Sequence, residues 1–226
     1  PAADGQWALV PGGAVADIVV GIDGDELVAV RSAAPGTAPT NVACAPVAPR
    51  STAGDRTVLG DRNDWIHARA EWEILLAAAM VGMAERALTM GVEYAMSRKQ
   101  FGVPIGSFQA VQHGLAAIVP KLDGARLLVH KAAWAIEAGK AGEIDVVHND
   151  ISDATTLAGM AFVNASEAAA FATDKSLHFH GGYGYSKEYD IQLYYRRARG
   201  WPLVAGSLSR RVRELADTLF PTEVGK

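Results

Sequence analysis

The side chains best equipped for chemistry gather in two short stretches. In the first, Tyr94 to Gln112, an apolar-periodic segment ends with Arg98 beside Phe101. A turn broken by Gly102, Pro104 and Gly106 follows, and Gln109 falls in the first turn of the next helical pattern. Arginine presents a planar fork that matches phosphate, and phenylalanine presents a ring face. With an amide nearby, the set suits an anionic, flat ligand; it equally suits an ordinary helix-turn-helix corner with a surface Arg and a core Phe. The second stretch runs from His178 to Tyr185 and holds His180, Gly181, Gly182 and Gly184. Glycine lets a backbone approach phosphate closely and present its amides, though alone this run reads as a tight turn between helices. His178 and His180 form a His-x-His pair without a Cys or acidic ligand at suitable spacing, so no metal site is expected.

Long helices must carry these stretches. From Asp64 onward the apolar period is helical, and it predicts a first helix from about Trp65 to Ser97 with Leu75, Leu76, Met80, Met83, Leu88 and Tyr94 apolar. A second runs from Ser107 to about Ala138, kinked at Pro120 because proline lacks an amide donor. A loop from Gly139 to Asp145, a third helix from about Ile151 to Lys175 capped by Asp150, a short helix near Asp190 to Arg199 and a last one from about Gly206 to Leu219 follow. Residues 1–60 differ: Trp7 to Pro11, Ala16 to Ile22 and Glu26 to Arg31 are β-branched runs, and Asp23-Gly24-Asp25 signals a hairpin. Residues 32–57 read as irregular or as weak edge strands. The expected fold is mainly α, an up-and-down four-helix bundle over 61–226 preceded by a small partial β-domain over 1–60.

Composition narrows the classes. The net charge of -4 argues against a general nucleic-acid or anionic-membrane binder. The arginines between Arg196 and Arg213 therefore read as a solvated or subunit-facing cluster. Cys44 is the single cysteine, which excludes an intramolecular disulfide or a thiolate cluster. Apolar runs such as Ile74 to Gly82 look too short and too Ala-rich to span a bilayer, and a reducing cytoplasm is the default. His67, His113, His130 and His148 read as surface or packing histidines.

Four ordered motifs then carry a resemblance: Arg98-Lys-Gln-Phe-Gly, Phe108-Gln109, Gly181-Gly182-Tyr183-Gly184-Tyr185 and Tyr195-Arg196-Arg197-Ala198-Arg199. Together they resemble the C-terminal half of the acyl-CoA dehydrogenase family over about residues 60–220, with a weaker match to its middle β-domain before that. The resemblance implies a usually tetrameric assembly in which Arg98 and Phe101 approach the FAD of a neighbouring subunit, the guanidinium on its pyrophosphate. Gln109, Gly181, Gly182 and Ser207 would also touch the cofactor. Residues 178–182 align with the family's Gln-x-x-Gly-Gly loop, where His178 replaces the Gln and can still donate one hydrogen bond.

The resemblance also exposes an absence. The family removes a proton alpha to an acyl-CoA thioester with a carboxylate base, a step worth about 100- to 10,000-fold. At the usual base position this chain has Ala205. At the position used by a minority of members, 26 residues before Arg98, it has Trp72. Glu71 and Glu73 flank that tryptophan, but neighbouring helix positions point about 100° apart, and both read as surface acids unless the alignment slips by one. The Asp of the family's Arg-Asp-Ala-Arg motif is Arg197. No counterpart to the family's N-terminal helical domain is seen, so a homologous partner subunit is expected. Three readings follow: a base-less subunit of a hetero-oligomer, a homomeric dehydrogenase using Glu71 or Glu73, and a non-enzymatic binding protein on the same bundle.

Overall fold

The structure is a computed structural model and describes residues 2–140 and 153–220. The chain divides into two compact units, Pro1–Ala70 and Glu71–Lys226.

The first unit is built from antiparallel pairs. Strand β1 (Gln6–Val10) pairs with β4 (Ala48–Ser51), while β2 (Ile18–Asp23), β3 (Glu26–Arg31) and β5 (Asp55–Gly60) form a three-stranded sheet in the order β2-β3-β5. The Asp23↔Glu26 pair closes a two-residue turn at Gly24-Asp25, as the sequence signals. Trp7, Val10, Val19, Val28 and Val30 make its core. Within residues 32–57 the edge strands do form. Their low β-branched content hid them, and Arg50 secures β4 by donating to the carbonyls of Gly13, Ala16 and Ser32 while itself buried.

Helix α1 (Arg62–Ser97) crosses from one unit to the other. It starts three residues before the expected Trp65 because Asp61 caps it: its Oδ1 accepts from the Asn63 and Asp64 amides, and Asp64 Oδ2 accepts from the Asp61 amide. After it come α2 (Gln109–Ala116), α3 (Ile118–Lys140), α4 (Ala154–His180), α5 (Ile191–Gly200) and α6 (Leu208–Leu219). The mainly α, four-helix-bundle expectation holds, with α4 at the centre, packed on α3, α5 and α6. Its alanines at 158, 161, 165, 168, 169 and 172 are all buried, which lets neighbouring helices approach closely all round. From α1, Glu73, Ala77, Met80, Ala84 and Ala87 point into this core. Leu75, expected among the apolar contacts, lies about 200° from Glu73 on the helix wheel and is 71% exposed.

Several expected boundaries move. The second helix is two: a 3-10 turn spans Ile105–Ser107, α2 begins at Gln109, and the path breaks at Ala117 rather than at Pro120. Pro120 thus falls in the first turn of α3, where a missing amide costs nothing, so no kink is needed. Gly139 still belongs to α3, and 141–145 lie outside the described residues, as do Asp150, Ile151 and His148. The described cap of α4 is Asp153, which accepts from the Thr155 and Thr156 amides. That helix runs on to His180, past Lys175. Helix α6 starts after Ser207 rather than at Gly206, whose φ of 100° is not helical. By length and composition α1 is apolar enough to cross a membrane, which corrects the reading of 74–82 as too short; a core helix of a bundle passes the same test, and 44% of the apolar stretch of α1 is buried inside the molecule.

Candidate functional site

The end of α1 turns directly into a small hairpin. Strands β6 (Lys99–Gln100) and β7 (Val103–Pro104) pair antiparallel across a Phe101-Gly102 turn, both residues with positive φ (53° and 83°). Such a turn matches the right-handed twist of its strands, but an aromatic residue pays steric strain there that glycine or asparagine avoids. The turn leaves Phe101 93% exposed, its ring edge-on to Phe108 at 6.2 Å. An exposed aromatic in a strained turn is a presented side chain. The core-Phe reading of this corner therefore fails.

Behind the hairpin lies a cleft of about 570 Å³ between the end of α1, the end of α4 and the 3-10 turn Gly181–Tyr185, a size that accommodates a small organic ligand. Arg98 stands at its wall, its guanidinium 5.4 Å from the Tyr183 ring centre. Gly181, in the left-handed region (φ 60°), ends α4, and with Gly182 gives the cleft a backbone floor without side chains. Tyr94, Phe179, His180, Ser186 and Glu188 also line it. The Tyr94 ring stacks on His180 at 4.2 Å and meets Tyr189 edge-on at 6.0 Å. Burial pushes the Tyr94 phenol above its ordinary value, against the opposing charge of Arg98. The Ser186 hydroxyl oxygen is buried with no hydrogen-bond partner.

The structure thus gathers three expected residues, Arg98, Gly181 and Gly182, around one cleft. Others lie outside its lining. Phe101 projects from the adjoining hairpin, and Gln109 is exposed at the start of α2. His178 is exposed and packs edge-on against Phe179 at 5.7 Å. Ser207 is the N-cap of α6, its hydroxyl accepting from the Arg210 amide at 3.2 Å. His180, two residues on, is the histidine that enters the cleft. The helix running five residues past Lys175 was the missing signal, since it turns 178 and 180 to different faces. A guanidinium, bare glycine backbone and aromatic faces fit a nucleotide's phosphates and ring system.

Neither position at which the family carries its base holds a carboxylate here. Ala205 ends the 3-10 turn Trp201–Ala205. Trp72 packs on Phe162 with ring centres 6.4 Å apart, and Glu71 is exposed. Glu73 corrects the surface-acid expectation: it is 0% exposed and accepts from Arg211 Nη2 at 2.7 Å. The arginines of the C-terminal region are dispersed among acids, Arg199 on Asp174 and Arg210 on Glu214.

Residues 69–220 match the family model described as the C-terminal domain of acyl-CoA dehydrogenase. The acyl-CoA dehydrogenase IpdE2 of Mycolicibacterium smegmatis is 33% identical over 215 residues, covering 94% of this chain and 61% of that protein. A 3-(aryl)acrylate reductase of Clostridium sporogenes is 35% identical over 145 residues, 64% of this chain and 35% of that protein. Among solved structures, the ChsE4-ChsE5 complex from Mycobacterium tuberculosis superposes with a TM-score of 0.82 at 26% identity, covering 96% of this chain and 59% of that one. The chain spans 61% or less of the length of these relatives.

Proposed function

The chain belongs to the acyl-CoA dehydrogenase family, and from that footing we propose that it is a subunit of a flavin-dependent acyl-CoA dehydrogenase which contributes FAD contacts but no catalytic base. The observation that carries this reading is a cleft lined by Arg98, Gly181 and Gly182 in a chain whose Glu73 is buried against Arg211. Arg98 and the Gly181-Gly182 backbone would hold the phosphates, and Phe101 on its exposed turn would pack beside the cofactor of a neighbouring chain. Gln109, His178 and Ser207 are proposed as lesser contacts at the rim. A bound flavin supplies the hydride acceptor for alpha,beta-dehydrogenation. This chain's residues bind and orient it, exclude water with the Tyr94, Tyr183 and Phe101 rings, and leave proton removal from the acyl-CoA to a partner.

The homomeric alternative needs Glu71 or Glu73 as base. Glu73 is held by Arg211 in the bundle core, and Glu71 lies on an exposed face about 200° away on the helix. A partner is further supported by large apolar side chains left open on the helical unit, Met96 at 70%, Leu127 at 70% and Trp134 at 57% exposed. We place the assembly in the cytoplasm. To test the proposal, acyl-CoA oxidation is measured for the chain alone and for the native assembly carrying Glu71→Gln or Glu73→Gln in this chain. The reading expects no turnover from the chain alone and unchanged turnover per folded assembly in both variants. Efficient oxidation by this chain alone, abolished by either substitution, would overturn it.

A further inference from the structure

His180 is 4% exposed yet lines the cleft. Its Nδ1 lies 2.7 Å from the Ser176 carbonyl oxygen. A carbonyl can only accept, so Nδ1 carries the hydrogen, and in the neutral ring Nε2 is then a bare acceptor. Tyr94 covers one face at 4.2 Å and Tyr189 meets the ring at 5.8 Å, and together with the Ser176 bond they favour this ring orientation. Nε2 has no hydrogen-bond partner among the described residues. Nε2 is not among the buried side-chain atoms left without a partner, so it keeps contact with solvent, and His180 lines the cleft, where a ligand can reach this acceptor.

The cleft is therefore divided chemically. Arg98 offers donors, suited to phosphate, whereas His180 Nε2 and the Glu188 carboxylate offer acceptors, which phosphate does not satisfy. We infer that His180 accepts, through Nε2, a hydrogen bond from a hydroxyl or amino donor on the nucleoside side of a nucleoside diphosphate whose phosphates lie toward Arg98. The inference rests on the nucleotide reading above and adds a residue that distinguishes a nucleotide from a bare pyrophosphate.

The test uses the native assembly stripped of flavin, titrated calorimetrically with ADP, inosine diphosphate and inorganic pyrophosphate under one fixed buffer condition. His180→Asn keeps an amide near Nδ1 for the Ser176 carbonyl and has nothing at Nε2; His180→Gln reaches the Nε2 position. The expected result is a roughly three- to tenfold loss of ADP affinity in His180→Asn, pyrophosphate binding unchanged, and recovery in His180→Gln. A loss that persists with inosine diphosphate assigns the donor to the ribose; one that vanishes assigns it to the adenine amine. Equal losses for ADP and pyrophosphate, no loss in His180→Asn, or no ADP binding by the unmodified assembly overturns the inference. Arg98→Gln separates the two levels: if it weakens both ligands while His180→Asn weakens neither, the nucleotide reading survives and this inference fails.

Discussion

Glu73 Oε2 accepts a hydrogen bond from Arg211 Nη2 at 2.7 Å, joining α1 to α6 with the carboxylate wholly buried and the arginine nearly so. The same guanidinium reaches Glu214 Oε2 at 3.3 Å. Breaking one partner of a buried pair costs about 3–5 kcal/mol, because the remaining charge keeps its desolvation penalty. Arg211→Ala, which removes the cation shared by Glu73 and Glu214, is expected to cost about the lower end of that range. Glu73→Ala costs less, since Arg211 retains Glu214. Urea denaturation of the full chain measures both, and a larger loss in Glu73→Ala would contradict the ordering.

Gly159 on α4 makes room for this pair. A Cβ built there would stand 2.4 Å from Arg211 Nη2 and 2.9 Å from Leu215 Cδ2. Gly159→Ala gains helix propensity of about 1 kcal/mol but must displace the guanidinium from Glu73. The net change is expected to be destabilising by about 1–3 kcal/mol, as for other overpacked sites. In Arg211→Ala the same Gly159→Ala change should be milder, and a double-mutant cycle by denaturation checks that coupling.

Such features show what a sequence can and cannot reveal. The long helices, the Gly24-Asp25 hairpin and the Arg98 corner follow from local period and turn chemistry, so they are legible. The fate of Glu73 is not, because it depends on Arg211, far along the chain, lying opposite it. His180 was likewise hidden: only the continuation of α4 to Gly181 decides which of two nearby histidines faces the cleft. Capping by Asp61 and Ser207 sharpened boundaries that apolar periodicity left loose by a few residues.

The α4 cap gives a pH prediction. Partial burial raises the Asp153 carboxyl, but hydrogen bonds from Thr156 and Thr155 outweigh it and hold the group below its ordinary value. A carboxylate whose folded pKa is depressed contributes stability above its unfolded pKa, about 3.9, that is lost as pH falls through the folded value. Asp153→Ala should cost about 1 kcal/mol near neutral pH. The difference from the unmodified chain should shrink as pH drops below about 4, measured by urea denaturation across that range.

Phe101 separates stability from function. Its φ of 53° suits asparagine or glycine better than an aromatic residue. Phe101→Asn is expected to leave the fold as stable or slightly more stable while lowering flavin retention by the assembly. Thermal unfolding of the chain and flavin release on dilution check the two halves.

Under the proposed function, Arg98 and its cleft hold flavin in an assembly whose proton removal lies in another chain. The most direct measurement is the visible flavin absorbance and subunit stoichiometry of the purified native assembly, with and without Arg98→Gln in this chain. One flavin for every two chains, a longer second polypeptide, and a marked fall in flavin content in Arg98→Gln at unchanged stoichiometry are expected. Full flavin retention in Arg98→Gln, or no flavin in the unmodified assembly, would contradict it.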